Sequence, residues 1–355
     1  MTTPALDPVS APSSDIDVTM DPAQARWDEY VAKAPGSSVY HLWCWREVFE
    51  QVFGQRAHYL AALRKDRVVG ILPLVEFRSR LFGRFAVSLP FLNYGGVVAD
   101  DETVRRRLVE AASQLAREHG LTHVELRHET RQCPDLQVKE HKVAMRLALP
   151  SSPDVLWNGI DRKARNQVRK AQKCGLTSVA GGAELLDGFY GVFAENMRDL
   201  GTPVYPLSLF EVVARLLPDR VRVHQVRLGD QVVAGAVTIA WRSTVEVPWA
   251  SSLQRHRDKS PNNLLYWSML EHAIGEGMRT FDFGRSTPGE GTFHFKQQWG
   301  AVASPFHWEY WLAAGRTLPD QSPKNPKFMA AIAAWRRLPL WVANRLGPAI
   351  VRDIP

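Results

Sequence analysis

A chain of 355 residues that is 45% hydrophobic and 23% charged is longer than one hydrophobic core supports and reads as two domains of ordinary globular composition. Its formal net charge of +7 directs it toward anionic partners such as nucleic acid, phosphate-bearing substrates or an acidic membrane face, without choosing among them. Three well-separated cysteines, Cys44, Cys133 and Cys174, offer no disulfide framework and no C-x-x-C zinc pair, and no apolar run approaches the ~20 residues of a membrane-spanning helix. With no Lys or Arg before Arg26 the N-terminus does not read as a signal peptide, so the expected compartment is the cytoplasm.

Residues 1–21, rich in Pro, Ser, Thr and Asp, are expected to be disordered. Asp21-Pro22 opens a first helix that carries Trp27 and Tyr30. His41–Phe53 is a second helix, with Leu42, Trp45, Val48, Phe49 and Val52 at helical spacing. A strand pair follows, Tyr59–Leu63 and Val68–Phe77, turning at Lys65-Asp66. Leu89–Val98 reads as an apolar strand interrupted by Asn93-Tyr94-Gly95-Gly96. Thr103–His119 is an amphipathic helix with Val104, Leu108, Ala111, Ala112 and Leu115 on one face, stopped by Gly120 before a strand at Leu121–Leu126.

Between the halves lies the most basic segment, Asp161–Lys173, with six cations and a thin apolar stripe of Ile160, Ala164, Val168 and Ala171. It suits either a solvated helix face or a phosphate or nucleic-acid contact, and spacing does not decide. Phe189–Leu200 is a helix leading into a loop whose Asn196, Arg198, Asp199 and Tyr205 can line a cleft. The plan of the first half then returns: a strand pair at Val221–Leu228 and Gln231–Ala240, a strand at Val245–Ser251, a helix at Asn263–Gly277 and a strand at Met278–Phe283. Gly120–Leu126 (GLTHVEL) matches Gly277–Phe283 (GMRTFDF) at an offset of 157, and the DRVVGIL run from Asp66 matches the DQVVAGA run from Asp230 at an offset of 164. This is an internal duplication of a hairpin, strand, helix, strand unit, giving two related mixed α/β domains with a cleft between or beside them.

The stretch FDFGRSTPGEGTFHFKQQWGA, Phe281–Ala301, alternates like a strand, breaks at Gly284, loops through Pro288, Gly289 and Gly291, and alternates again from Thr292 to Lys296. A hairpin of this form brings Arg285 and Lys296 near a common point, chemistry suited to an anionic or carbonyl-bearing substrate. The same charges would also suit a solvated surface hairpin. No G-x-S-x-G elbow, H-E-x-x-H, P-loop or dinucleotide fingerprint occurs, and the eleven His do not cluster with carboxylates at metal-ligand spacing, so no metal is expected.

The duplicated plan, RKAQKCGL at Arg169–Leu176 and FKQQWGA at Phe295–Ala301 together resemble the FemAB family of peptidyl and aminoacyl transferases, which are tandem GNAT-fold proteins. FLNYGGVV, NMRDLGTP, SPNNLLYW and the Phe281–Ala301 stretch look like the branch associated with exosortase/PEP-CTERM systems of exopolysaccharide-producing bacteria. The resemblance implies an α/β fold of two tandem GNAT-like domains, at 22–150 and 151–315, followed by an amphipathic tail at 316–355. It implies transfer of an acyl or aminoacyl group to an amine of a cell-envelope or exopolysaccharide-related acceptor, with no tightly bound cofactor and aminoacyl-tRNA or acyl-CoA as co-substrate. Phe295-Lys296 falls on the family's Phe-Lys pair, the basic helix on a substrate-binding region (Arg165, Arg169, Lys170), and Tyr94 on a loop facing the acceptor. Asn263, Tyr266 and Ser286 lie in the matching segments and join the candidate binding residues. The chain departs from its relatives in reading YGG where cell-wall ligases often carry RGP, and it has no clean instance of the CoA pyrophosphate signature of acetyltransferases.

The chemistry expected is attack of a neutral amine on an activated ester or thioester carbonyl. Lys296 is expected to stabilise the developing oxyanion, Arg285 to hold an anionic part of a substrate, and Asp199 or Asp282 to act as base. Asp282 has a plainer alternative as a partner of Arg285 or a solvent-facing strand residue. The cysteines read as packing residues. Two other readings stay open: an N-acyltransferase using acyl-CoA or acyl carrier protein, and a non-catalytic partner in envelope assembly. In the tail, Phe328, Ile332 and Trp335 share a helical face with Arg336-Arg337 nearby, which suits either packing on the second domain or peripheral contact with the inner face of a membrane.

Overall fold

The computed structural model describes residues 15–79, 82–319 and 326–354. The elements of the first half are β1 (Asp17–Thr19), α1 (Gln24–Lys33), α2 (Cys44–Phe53), β2 (Arg56–Arg64), β3 (Arg67–Ser79), β4 (Gly83–Val87), β5 (Val98–Ala99), α3 (Glu102–Glu118), β6 (His123–His128) and β7 (Gln137–Lys139). Then come β8 (Val143–Ala148), α4 (Pro153–Gly159), α5 (Arg162–Lys173), β9 (Leu176–Gly181), α6 (Leu186–Leu200), α7 (Leu207–Leu216), β10 (Val221–Leu228), β11 (Gln231–Trp241) and β12 (Thr244–Ser252). The chain ends with α8 (Pro261–Gly275), β13 (Thr280–Ser286), α9 (Gly291–Gln297), β14 (Val302–Pro305), β15 (His307–Leu312), α10 (Pro326–Trp335) and α11 (Leu340–Val351).

The strands form two sheets. One runs β1-β2-β3-β4-β6-β15-β7 with β5 beside β3, and the other runs β14-β8-β13-β12-β11-β10-β9. Each is built around the same unit: an antiparallel strand trio, a crossover helix and a strand that returns parallel to the third. The first hairpin turns at Lys65 and Asp66, both at positive φ (50° and 63°), the backbone that lets a two-residue turn follow the twist of its strands. In the first sheet the parallel register is Ala86↔Val124 and Val87↔Glu125. In the second it is Thr244↔Thr280, Val245↔Phe281 and Glu246↔Asp282. Glu125 and Asp282 stand 157 positions apart, the offset of the sequence repeat, at the last paired step of their ladders.

The halves exchange strands. After β7 the chain leaves the first sheet and contributes β8 to the second, between β13 and β14; after β14 it returns and contributes β15 to the first, between β6 and β7. The largest apolar cluster joins the halves, with Trp45, Phe49, Phe77 and Phe85 from the first and Phe189, Phe210 and Trp249 from the second.

Three sequence expectations are corrected. Asp17–Thr19, placed in a disordered segment, pairs with Ala61–Leu63 and carries the buried Ile16 alongside; residues 1–14 lie outside the described set. Leu89–Val98 is not a strand: Leu89 and Phe91 sit at positive φ (59° and 68°), which turns the chain and drops Asn93 and Tyr94 into the interior. Thr292–Lys296 is helical, not the second leg of a hairpin. The Phe293/Phe295 alternation suits a strand, but Phe295 and Trp299, four apart, close together on Tyr266 and favour a helical turn.

Candidate active site

Pairing between β12 and β13 stops at Glu246↔Asp282, and the ladder from β13 to β8 slips between Asp282 and Arg285. Gly284, at φ 71°, sits in that irregularity, where an added Cβ would stand 3.2 Å from the Asn93 amide. The strands part here, and the opening is lined by charged groups with little exposure to solvent. Asp282 is 1% exposed; its Oδ2 accepts from Arg146 Nε at 2.8 Å and from the Tyr94 hydroxyl, and its Oδ1 accepts from the Gly284 N–H at 2.8 Å. Those three donors suit an ionised carboxylate. Beside it Glu246 is buried and accepts from Asn93 Nδ2 at 2.7 Å. Burial, reinforced by the neighbouring Asp282, pushes the Glu246 carboxyl above its usual range. Asp282 is therefore neither solvent-facing nor a partner of the Arg285 side chain, as the plainer reading had it.

Lys296 projects from α9 into this cluster and is 7% exposed. Its ammonium donates to the carbonyl oxygens of Arg285 at 2.9 Å and Gly284 at 3.2 Å. Two of its three N–H donors are thus spent on the bulge, and a third is left. Burial pulls its pKa down to about 8, with Arg285 acting in the same direction and Asp282 and Glu246 opposing. The expected meeting of Arg285 and Lys296 occurs, with the lysine held on the arginine's backbone.

Arg285 itself is exposed to solvent, and its guanidinium makes no ion pair with the described residues. It nevertheless lies among Arg127, Glu125, Tyr205 and Glu246, with desolvation and Arg127 holding its pKa below the usual value. An exposed side chain among charged and polar groups from both halves is placed where a substrate could reach the cluster. Trp308, on β15, separates two cations there, with Arg127 at 4.5 Å and Arg285 at 5.9 Å from its ring centroid.

The other candidates divide. Tyr94 is in the cluster, and Tyr205 borders Arg285. Tyr266 and Phe295 pack against each other and form the wall behind Lys296, and the Ser286 hydroxyl is buried without a partner. Asn263 lies half-buried at the start of α8. Arg165 is committed elsewhere: its Nη1 donates to the carbonyls of Trp157, Asn158 and Ile160 and caps α4. Arg169 lies over the Trp157 ring at 5.3 Å, and Lys170 points to solvent. The structure does not bring Asp199 to the cluster. It pairs with Arg198, which also donates to the Leu338 carbonyl, while Asn196 donates to Ser251. Cys174 is exposed and so is not a packing residue.

Sequence reasoning missed Glu246, Asn93, Arg146, Arg127 and Trp308. The signal for Glu246 was present: an acid flanked by Val245 and Val247 echoes Asp282 between Phe281 and Phe283, but alternation alone assigns both acids to a solvated face. Two His-carboxylate groupings that spacing did not disclose also form in space, His58-Glu76-His119 and His128-Glu309-Cys133. In the first, Glu76 is also bonded by Arg78 and approached by Arg84; in the second, His128 is taken at both nitrogens, by Glu309 and by the Val97 N–H. A groove of about 550 Å³ lined by Arg26, Tyr30, Lys65, Arg67 and Asp100 shares no residue with the charged cluster.

Residues 160–297 match the model of the Acetyltransferase (GNAT) domain, a span that contains Glu246, Asp282, Arg285 and Lys296. The crystal structure of FemX aligns with a TM-score of 0.60 at 17% identity, covering 82% of this chain and 96% of that one. The C-terminal domain of a putative lysylphosphatidylglycerol synthetase from Agrobacterium fabrum aligns with a TM-score of 0.55 at 11% identity, over 82% and 92%. L-PGS from Bacillus licheniformis aligns at 0.54 and 11%, over 89% and 96%. At such identities the likeness is one of fold. Among curated protein sequences none matches. Taken with the duplicated topology, the matched domain makes the chain a mixed α/β protein of tandem GNAT-like architecture and an acyltransferase.

Proposed function

We propose that the chain forms an amide by moving an acyl or aminoacyl group from an activated ester or thioester to an amine, with the chemistry in the second GNAT-like unit, the one built on the β14-β8-β13-β12-β11-β10-β9 sheet. One observation carries this reading: a buried lysine with a spare N–H stands beside a buried carboxyl of raised pKa, at the point where two parallel strands part. The acceptor enters as a neutral amine and its nitrogen attacks the acyl carbon. Glu246 takes the proton the amine sheds, a task its raised pKa favours, and Lys296 donates to the oxygen on which charge develops. The carbon–oxygen or carbon–sulfur bond to the carrier then breaks, the amide remains, and the carrier leaves with a proton. Holding both reactants in the cleft supplies much of the acceleration, and no covalent enzyme intermediate is needed. Arg285, wet and unpaired, suits an anionic part of the acceptor.

The donor side favours a phosphate-bearing carrier. The 3-10 turn Gln254–Lys259 before α8 carries Arg255, Arg257 and Lys259, of which Arg255 pairs with Glu195 and Lys259 with Asp258, and α5 lies against α8 with Arg162, Lys163, Lys170 and Lys173 exposed and Gln167 bonded by Ser260. Acyl-CoA is the donor class that a GNAT domain implies; aminoacyl-tRNA is the alternative drawn from the FemAB-like motifs. An acceptor from the cell envelope or an exopolysaccharide pathway rests on those motifs and on what FemX and the lysylphosphatidylglycerol synthetases are named for. The test is to incubate the full chain with acyl-CoA or with aminoacyl-tRNA and an amine acceptor and to follow amide formation by mass spectrometry. Turnover with one donor that is lost in Glu246→Gln and Lys296→Ala supports the reading. Turnover undiminished in both variants overturns it.

A further inference from the structure

The two C-terminal helices leave a large apolar surface uncovered. Trp341 is 71% exposed and Met329 57%, and Leu346 and Ile350 are exposed on α11. Exposed alanines of α10 (Ala330, Ala331, Ala333 and Ala334) extend the surface. Solvated apolar area of this extent, concentrated on two short helices, marks a contact site. The charges around it have one sign: residues 329–354 hold Arg336, Arg337, Arg345 and Arg352, all exposed, against the single acid Asp353. No helix among the described residues is long and apolar enough to cross a membrane.

We infer that α10 and α11 form a docking surface for an anionic lipid bilayer, lying in the plane of the headgroups with Leu346 and Ile350, one turn apart on α11, inserted, and with Trp341, on the other flank of the helix, at headgroup level beside the arginines. Helices with aliphatic side chains inserted and with Trp and Arg at headgroup level bind in this way. A second copy of the chain is the weaker occupant. A two-fold interface sets a patch against itself, and here that would oppose one set of arginines to another. The surface is fixed to the body next to the cleft. Arg198 donates to the Leu338 carbonyl at 3.0 Å, and Gln55 donates to the Arg352 carbonyl at 2.7 Å. Gly201 and Gly347 permit close seating: an added Cβ would stand 2.5 Å from Ile332 Cγ2 at the first and 2.8 Å from Val204 N at the second. Val204 precedes Tyr205, which feels the charge of Arg285, so a bilayer on this surface lies on the same side of the molecule as that arginine's neighbour.

The inference is independent of acyl transfer, because binding is read without turnover. The full chain is sedimented with vesicles of phosphatidylcholine alone or mixed with phosphatidylglycerol, at about 0.1 M and about 0.5 M salt. The expected result is binding to the anionic vesicles at least about tenfold tighter than to the neutral ones, weakened at the higher salt. Binding should fall by at least about tenfold in Trp341→Ser/Leu346→Ser/Ile350→Ser and in Arg337→Glu/Arg345→Glu, with melting temperatures unchanged because these side chains are exposed. Equal binding to both vesicles, binding to neither, or binding undiminished in the triple variant overturns it. So does a wild-type dimer that the triple variant converts to monomer while neither binds vesicles.

Discussion

The duplicated units place an acid at the same step of the same parallel ladder, Glu125 in the first half and Asp282 in the second, and surround it differently. Glu125 is sealed: Arg127 Nε donates to it at 2.7 Å and the Tyr310 hydroxyl at 2.8 Å, which outweigh burial and hold its carboxyl below the usual range. Its ladder partner is Val87, an apolar residue with nothing to titrate. Asp282 is matched with Glu246, a second buried acid that no cation among the described residues ion-pairs, and with a lysine stripped of water. The first half has neutralised its charge internally, whereas the second keeps a proton acceptor and a donor unspent. Only the second carries reactive groups at the end of its parallel ladder.

The largest expected effect comes from making the second half like the first at the ladder. Glu246→Gln removes the proton acceptor and should lower the rate by about 10²–10⁴, measured as amide formation under single-turnover conditions. Cutting the sealed acid works through stability: Glu125→Ala leaves Arg127 buried without its partner and should cost about 3–5 kcal/mol in denaturant unfolding. Lys296→Ala should lower the rate by about 10²–10³. Because Glu246 must be deprotonated to act as base while its carboxyl is raised above the usual range, and Lys296 acts as a cation whose pKa lies at about 8, the pH profile should be bell-shaped, rising as Glu246 loses its proton and declining as Lys296 loses its own. Lys296→Arg should carry the decline to higher pH, which a pH profile of kcat/KM reads directly. The smallest effect belongs to the basic helix. Arg165→Ala removes a cap from α4 and should cost about 1 kcal/mol of stability while leaving the rate within a factor of a few.

Much of the architecture was legible because it is written in local periods. The strand pairs, the helix of residues 102–118 and the basic helix follow spacing of two or near 3.6, and the repeated GLTHVEL and GMRTFDF segments disclosed the duplication. What failed to show were features that depend on distant residues. The turn at Leu89–Phe91 needs positive φ at two apolar residues, against local preference, and it alone delivers Asn93 and Tyr94 to Glu246 and Asp282. The helical state of residues 291–297 is set by packing of Phe295 and Trp299 on Tyr266. Lys296 and Arg285 were visible as cations beside a glycine turn, but the acid that completes the cluster comes from β12, 50 positions before Lys296, and no spacing rule connects them.

The reciprocal donation of β8 and β15 bears on how the molecule is made. While the ribosome extends the chain, β6 has no neighbour on one side until His307–Leu312 emerges, so the amino-terminal sheet waits with an open edge for about half of the chain's synthesis. Neither half can then mature as a separate product. An early stop before residue 307 should yield an insoluble fragment, and supplying the two halves from separate genes should restore solubility only when both are present together.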